Sequence, residues 1–242
     1  MYAFKKSTLF IATLCAFAAS SAAFAEPSTT EKSHHYFGHE NQATEWDSSL
    51  MKDDYKGGKV FGGMNSIRSS DSDPFKETKT GDVTLHFKKN ADGIIVDDIF
   101  GGSYAQGSAV TASVGNTHII IDTQDQEVMG GDIFGGGYTY HYTVKPGSST
   151  VGAVTSAKDT LIEFKSGIAN GTIVGGGYAS GYASAPLADL DITNEALYLS
   201  EAKVDNTHII ISGGQVTEAV VGGGKVRVNS EPELPIKSYT RS

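Results

Sequence analysis

The chain has 242 residues and one cysteine, and its 19 basic and 28 acidic residues give a formal net charge of −9. A phosphate backbone or an anionic lipid surface needs clustered positive charge, yet the arginines (Arg68, Arg227, Arg241) are few and dispersed; no nucleic-acid partner is expected. The cysteine, Cys15, lies in the N-terminal apolar stretch, which excludes a disulfide, a thiol nucleophile and a cysteine metal centre from the rest of the chain.

Residues 1–25 read as a secretory signal peptide. Lys5 and Lys6 form its positive end, Leu9 to Ala19 its apolar stretch, and Ala23-Phe24-Ala25 a small-x-small cleavage site before Glu26. The apolar run is shorter than the roughly 20 residues of a spanning helix, and no second such run follows, so no membrane span is expected after processing. Leu14 stands where a lipobox has a small residue, which argues against a lipoprotein. Removing Lys5 and Lys6 takes the net charge from −9 to −11.

Residues 26–56 are polar and without apolar period, and read as a flexible leader. His34, His35 and His39 with Glu40 and Glu45 carry metal-ligating groups, but an unpatterned segment fixes no coordination geometry, so no metal site is expected.

From Gly57 to Arg227 one pattern recurs. An alternating strand is followed by a polar turn, a short apolar pair and glycines. It reads DVTLHFKKNADGIIVDDIFGGSY from Asp82, NTHIIIDTQDQEVMGGDIFGGGY from Asn116, DTLIEFKSGIANGTIVGGGY from Asp159 and NTHIIISGGQVTEAVVGGGK from Asn206, with a half-copy KVFGGM at Lys59. Aligned copies place Leu85, Ile119, Ile162 and Ile209 in one column and Phe87, Ile121, Phe164 and Ile211 in another, all large and apolar. The column between them (His86, Ile120, Glu163, Ile210) and the one before (Thr84, His118, Leu161, His208) are mixed. Because strand side chains alternate sides, the uniform columns face a core and the mixed ones face out.

The pairs Ile99-Phe100, Ile133-Phe134, Ile173-Val174 and Val220-Val221 are adjacent residues and point to opposite sides, so both sides need cover or one packs under a loop. The glycines after them suggest a tight corner with positive φ. Tyr104, Tyr138 and Tyr178 follow at matching places and make an aromatic ladder or a ligand platform. His118 and His208 match across copies and offer a second candidate binding position.

One such unit cannot bury its apolar face alone, whereas stacked units can. The expected fold is all-β, a short parallel β-helix or β-solenoid of four to five repeats, with a β-sandwich as the rival. Asp189 to Lys203 is the largest insertion, with a helix considered over Asn194 to Lys203. Residues 228–242, with Pro232 and Pro235, form a tail that covers the last rung or hangs loose.

The signal, the cysteine-free acidic body and the strand–GGGY units resemble the glycine-rich β-helical passenger domains of Gram-negative autotransporters, over about residues 57–227. The resemblance implies a module displayed outside the cell, in adhesion or self-association. That family ends in a translocator barrel, while this chain ends at Arg241-Ser242; passage to the surface then calls for a separate outer-membrane transporter, and a periplasmic location or a shortened, degenerate passenger is the alternative.

No cofactor is expected. The glycine steps lack the Asp of calcium-binding GGxGxD repeats, since Asp97, Asp98 and Asp132 precede the glycines instead, and Gly222-Gly223-Gly224-Lys225 lacks the spacing and hydroxyl of a phosphate loop. Asp97 and Asp98 would point apart on a strand, which suits acid–base catalysis poorly. The expected function is a non-enzymatic surface adhesin or structural module that binds glycan or a surface protein. A polysaccharide lyase or hydrolase is the enzymatic alternative.

Overall fold

The computed structural model describes residues 34–51, 57–69, 72–90, 93, 96–143, 152–183, 200–230 and 238–241. The stretch read as a signal peptide, Met1 to Ala25, lies outside them. The described chain is all-β, apart from a single 3-10 turn at Ser48–Leu50. Its strands form three parallel sheets of six, nine and five strands. Between named strands every pairing is parallel, and the one isolated antiparallel bridge among the described residues joins Glu40 to Thr80. A β-sandwich would require antiparallel ladders instead.

Each repeat gives one strand to each sheet in turn. The long sheet takes Val83–Lys88, Thr117–Met129, Ala153–Ala169 and Ser200–Ile211. The corner sheet takes the short pairs Ile99–Phe100, Ile133–Phe134, Ile173–Val174 and Val220–Val221. The tyrosine sheet takes Tyr104–Gln106, Tyr138–Thr143, Tyr178–Ala183 and Lys225–Ser230. Like positions pair across neighbouring copies: Ile119 with Leu85 and Ile162, Ile133 with Ile99 and Ile173, Tyr138 with Tyr104 and Tyr178.

The two uniform columns are the core. Leu85, Ile119, Ile162, Phe87, Ile121 and Phe164 are fully buried in one cluster with Ile99, Ile133 and Ile173 from the corner sheet. In the last copy Ile209 is half-buried and Ile211 is exposed, because no further copy lies over them among the described residues. Among the described residues, five of the seven exposed large hydrophobic ones (Ile210, Ile211, Val220, Val221, Val226) belong to that copy.

The second member of each apolar pair packs elsewhere. Phe61, Phe100, Phe134 and Val174 leave the corner sheet on the side opposite Ile99 and Ile133, and meet Tyr36, Tyr104, Tyr138 and Tyr178 in a second cluster. Both sides of this sheet are therefore covered.

The corner between these sheets depends on glycine for space, not for backbone angle. Among the described glycines, positive φ is found at Gly57, Gly93, Gly107, Gly167 and Gly214, and the expected corner glycines are not among them. A Cβ on Gly135 would lie 2.3 Å from the Gly175 carbonyl oxygen and 2.8 Å from the Thr160 Cβ. On Gly101 it would lie 2.5 Å from the Gly135 oxygen. A buried threonine from the long sheet donates to each of these carbonyls, Thr117 to Gly135 at 2.7 Å and Thr160 to Gly175 at 2.6 Å. These cross-links hold the long sheet to the corner.

Two boundaries differ from the sequence reading, and the tail follows one of its two alternatives. The expected leader contributes strands His34–Tyr36, paired with Lys59–Phe61, and Thr44–Asp47, paired with Val83–Lys88. Phe37 and Trp46 are buried and stack at 4.6 Å, so burial of these two aromatics orders the segment despite its polar surroundings. Of the considered helix, Ser200 to Lys203 opens the strand Ser200–Ile211, and Asn194 to Leu199 lie outside the described residues. In the tail, Ser238–Arg241 pairs in parallel with Ser200 to Lys203; Pro232 and Pro235 lie outside the described residues.

Candidate functional site

The three tyrosines stand in register on adjacent strands of the tyrosine sheet. Their rings are 5.3 Å apart from Tyr104 to Tyr138 and 4.9 Å apart, stacked, from Tyr138 to Tyr178. Tyr138 also stacks on Phe100 and Tyr178 on Phe134, both at 5.5 Å. Beneath them the phenylalanines form their own column, Phe61 on Phe100 at 4.8 Å and Phe100 on Phe134 at 4.7 Å. Ring faces in this ladder are largely occupied by other rings, so it offers edges and hydroxyls rather than open platforms. Each offset-stacked pair adds about 0.5–1.5 kcal/mol beyond its area, which makes the ladder a second core.

Two of the carboxylates that precede the glycines tie successive copies together. Asp98 accepts the Asp132 amide N–H at 2.8 Å through Oδ1, and Asp132 accepts that of Thr172 at 2.8 Å. The other oxygen of Asp98 meets Lys59, and that of Asp132 meets Lys225. Lys59 also lies 5.9 Å above the Tyr138 ring, a cation–π contact. Asp97 is exposed, 4.0 Å from Lys59.

Charge and burial set an alkaline limit on this region. Burial, with the neighbouring Tyr178 and Tyr140, pushes the Tyr138 phenol well above its ordinary value of 10.0, against a hydrogen bond with Ser180. The hydrogen bond to Asp132 raises the Lys225 ammonium above 10.5, against desolvation. Both groups hold their protons more tightly folded than unfolded. The stability they contribute is present below pH 10 and is lost as pH rises through the raised folded values. Thermal midpoints measured from pH 8 to 12 should fall above about pH 10, with tyrosinate absorbance from Tyr138 appearing only as the fold is lost; an early tyrosinate signal from this residue in the folded protein would contradict its burial.

The histidines sit on the other side of the molecule's core, on the outward face of the long sheet. His118 and His208 do not pair directly, because Leu161 stands between them in register. With Asn116, Asp159, Asn206 and Ile210 they line an open cleft of about 740 Å³. His118 Nε2 is 3.4 Å from Glu163 Oε2, which Lys165 holds at 3.0 Å. The hydrogen bond from Lys165 keeps the Glu163 carboxyl below its ordinary value.

One edge of the cleft goes beyond the sequence reading. The residue that opens each copy (Asp82, Asn116, Asp159, Asn206) forms a polar column. Asn206 Nδ2 donates to Asp159 Oδ1 at 2.7 Å, and the Asn116 backbone N–H donates to Asp82 Oδ1 at 2.7 Å. The alternation of Asp and Asn at the start of each repeat is the signal that marks it.

The leader histidines do not converge. His34 and His35 are successive strand residues, with His34 against Tyr36, Phe61 and Tyr104, and His35 paired in register with Val60. Compared with known proteins, the chain matches no family model, no curated protein and no solved structure.

Proposed function

We propose that this chain is an exported parallel β-solenoid, similar to an autotransporter passenger, that works as a surface adhesin or structural module by contact along its outward faces. One observation carries the reading. Inward columns of the long sheet are uniformly apolar, while the outward column beside them runs Thr84, His118, Leu161, His208 in the same register. A fixed stack that carries a freely varied face suits recognition. The carboxylates nearest the aromatic ladder, Asp98 and Asp132, are engaged by amides and lysines, which favours a binding module over a hydrolase built on them.

The test is cell fractionation of the native host, with external protease added to intact cells. Digestion without lysis is the expected result. Protection until the outer membrane is opened would overturn the surface reading.

A further inference from the structure

The outward cleft of the long sheet has features that select among ligands. Its volume, about 740 Å³, falls in the range of ordinary small-ligand sites. Its floor is Leu161, half-buried, with the exposed Ile210 beside it. Its sides are amide, imidazole and carboxylate groups repeated from copy to copy: Asn116, Asp159 and Asn206 along one edge, His118 and His208 at either end.

Two classes of ligand fit this face poorly. A peptide strand would need unpaired backbone groups at the centre of the cleft, but the strand bearing Leu161 is hydrogen-bonded to a neighbour on both sides, and the edge of Ser200–Ile211 that has no strand partner beyond Lys203 among the described residues lies at the cleft's margin. An acidic ligand would need an unpaired positive charge. Here Lys165 is held by Glu163 beside His118, and the hydrogen bond that the Asp159 carboxylate accepts comes from the neutral Asn206 amide, which brings no positive charge. What remains is a set of donors and acceptors with one carboxylate among them, around an aliphatic floor. That suits a neutral polyhydroxyl ring with one C–H face and hydroxyls at its rim.

We propose that the cleft formed by Asn116, His118, Asp159, Leu161, Asn206 and His208 binds a short neutral oligosaccharide. The proposal rests on the surface-module reading and names the ligand class of one of its faces. The sugar's C–H face lies on Leu161, and its hydroxyls exchange hydrogen bonds with the asparagine amides, the Asp159 carboxylate and the imidazoles. Neighbouring copies lie one strand spacing apart, roughly 4.8 Å, so the like groups His118 and His208, with Leu161 between them, lie about two spacings apart for an extended chain laid across the strands.

The test is an NMR titration of the full-length chain, following the imidazole C–H signals of His118 and His208. The probes are cellotetraose, maltotetraose and chitotetraose as neutral chains, and trigalacturonate as an acidic one. At least one neutral chain should move both signals, and trigalacturonate should move neither. Leu161→Glu should weaken binding by roughly tenfold or more. If that variant fails to fold, His208→Ala, at an exposed position, should weaken binding severalfold without changing the thermal midpoint. The proposal is overturned if no neutral chain moves these signals, if only the acidic one does, or if the variants bind as well as the original. Binding reported by other residues alone would also overturn it, and would leave the surface-module reading standing. That reading is decided separately by the protease experiment on intact cells.

Discussion

Ile119→Asp should unfold the middle of the stack. Ile119 is fully buried in the main core, between Leu85 and Ile162 of the neighbouring strands. Among the described residues no Asp, Glu, Lys or Arg is buried, so an aspartate there is either ionised without a partner or protonated and short of hydrogen bonds. Losing the isoleucine and burying an unpaired carboxyl costs on the order of 5 kcal/mol. That is comparable with the whole stability of many domains, roughly 5–15 kcal/mol. The control is the next residue. Ile120 faces out, half-buried, paired with His86 and Glu163, so Ile120→Asp should cost no more than about 1 kcal/mol. Urea midpoints followed by circular dichroism would separate the two. Equal losses would mean that the inward and outward assignments are wrong.

The second large effect is at the corner. Gly135→Val must move backbone, because its Cβ would sit 2.3 Å from the Gly175 carbonyl oxygen of the next copy. Two hydrogen bonds hold that approach, Gly135 N–H to the Val174 oxygen at 2.9 Å and Gly136 N–H to the Gly176 oxygen at 3.0 Å. Opening the corner weakens both and lifts Thr160 off the Gly175 carbonyl. A loss of about 3 kcal/mol or more is expected, and Gly135→Ala should already show a good part of it. Gly222 occupies the same place in the last copy and would meet nothing within 4 Å, so Gly222→Ala should be close to neutral. Parallel losses at both positions would point to backbone angle instead of close approach.

The glycine column shows how a feature can be visible in sequence while its reason is not. Repeated glycine after an apolar pair announces a corner. The carbonyl that excludes Cβ belongs to another copy, and only the stacking reveals it. The core columns are legible because four aligned copies each sample the same environment, and Leu85, Ile119 and Ile162 agree. Ile211 matches the second of these columns yet is exposed, since burial there depends on a neighbour above, which alignment does not register.

Single-copy features are harder to read. His34–Tyr36 and Thr44–Asp47 are too short to show a period, and their place is fixed by Phe37 and Trp46 packing on distant residues. The binding positions divide in the same way. Register puts the tyrosines in line, as the repeats imply, but their stacking on the phenylalanine column depends on the fold of two sheets about the corner. His118 and His208 stand out by their matching positions, whereas the polar column beside them shows only as an alternation of Asp and Asn, and its hydrogen bonds between copies depend on the stacking.

The central claim is that like positions of successive copies lie side by side on parallel strands. A paired-cysteine experiment reads this directly, in a chain whose own Cys15 is changed to Ala. Residues in register on neighbouring strands are roughly 4.8 Å apart, within the range of about 4.4–6.8 Å that a disulfide spans. His118 is in register with Leu161, and Glu163 lies two residues further along the same strand. Mild oxidation should cross-link His118→Cys with Leu161→Cys rapidly and leave His118→Cys with Glu163→Cys largely free. The reverse order would contradict the register on which the account depends.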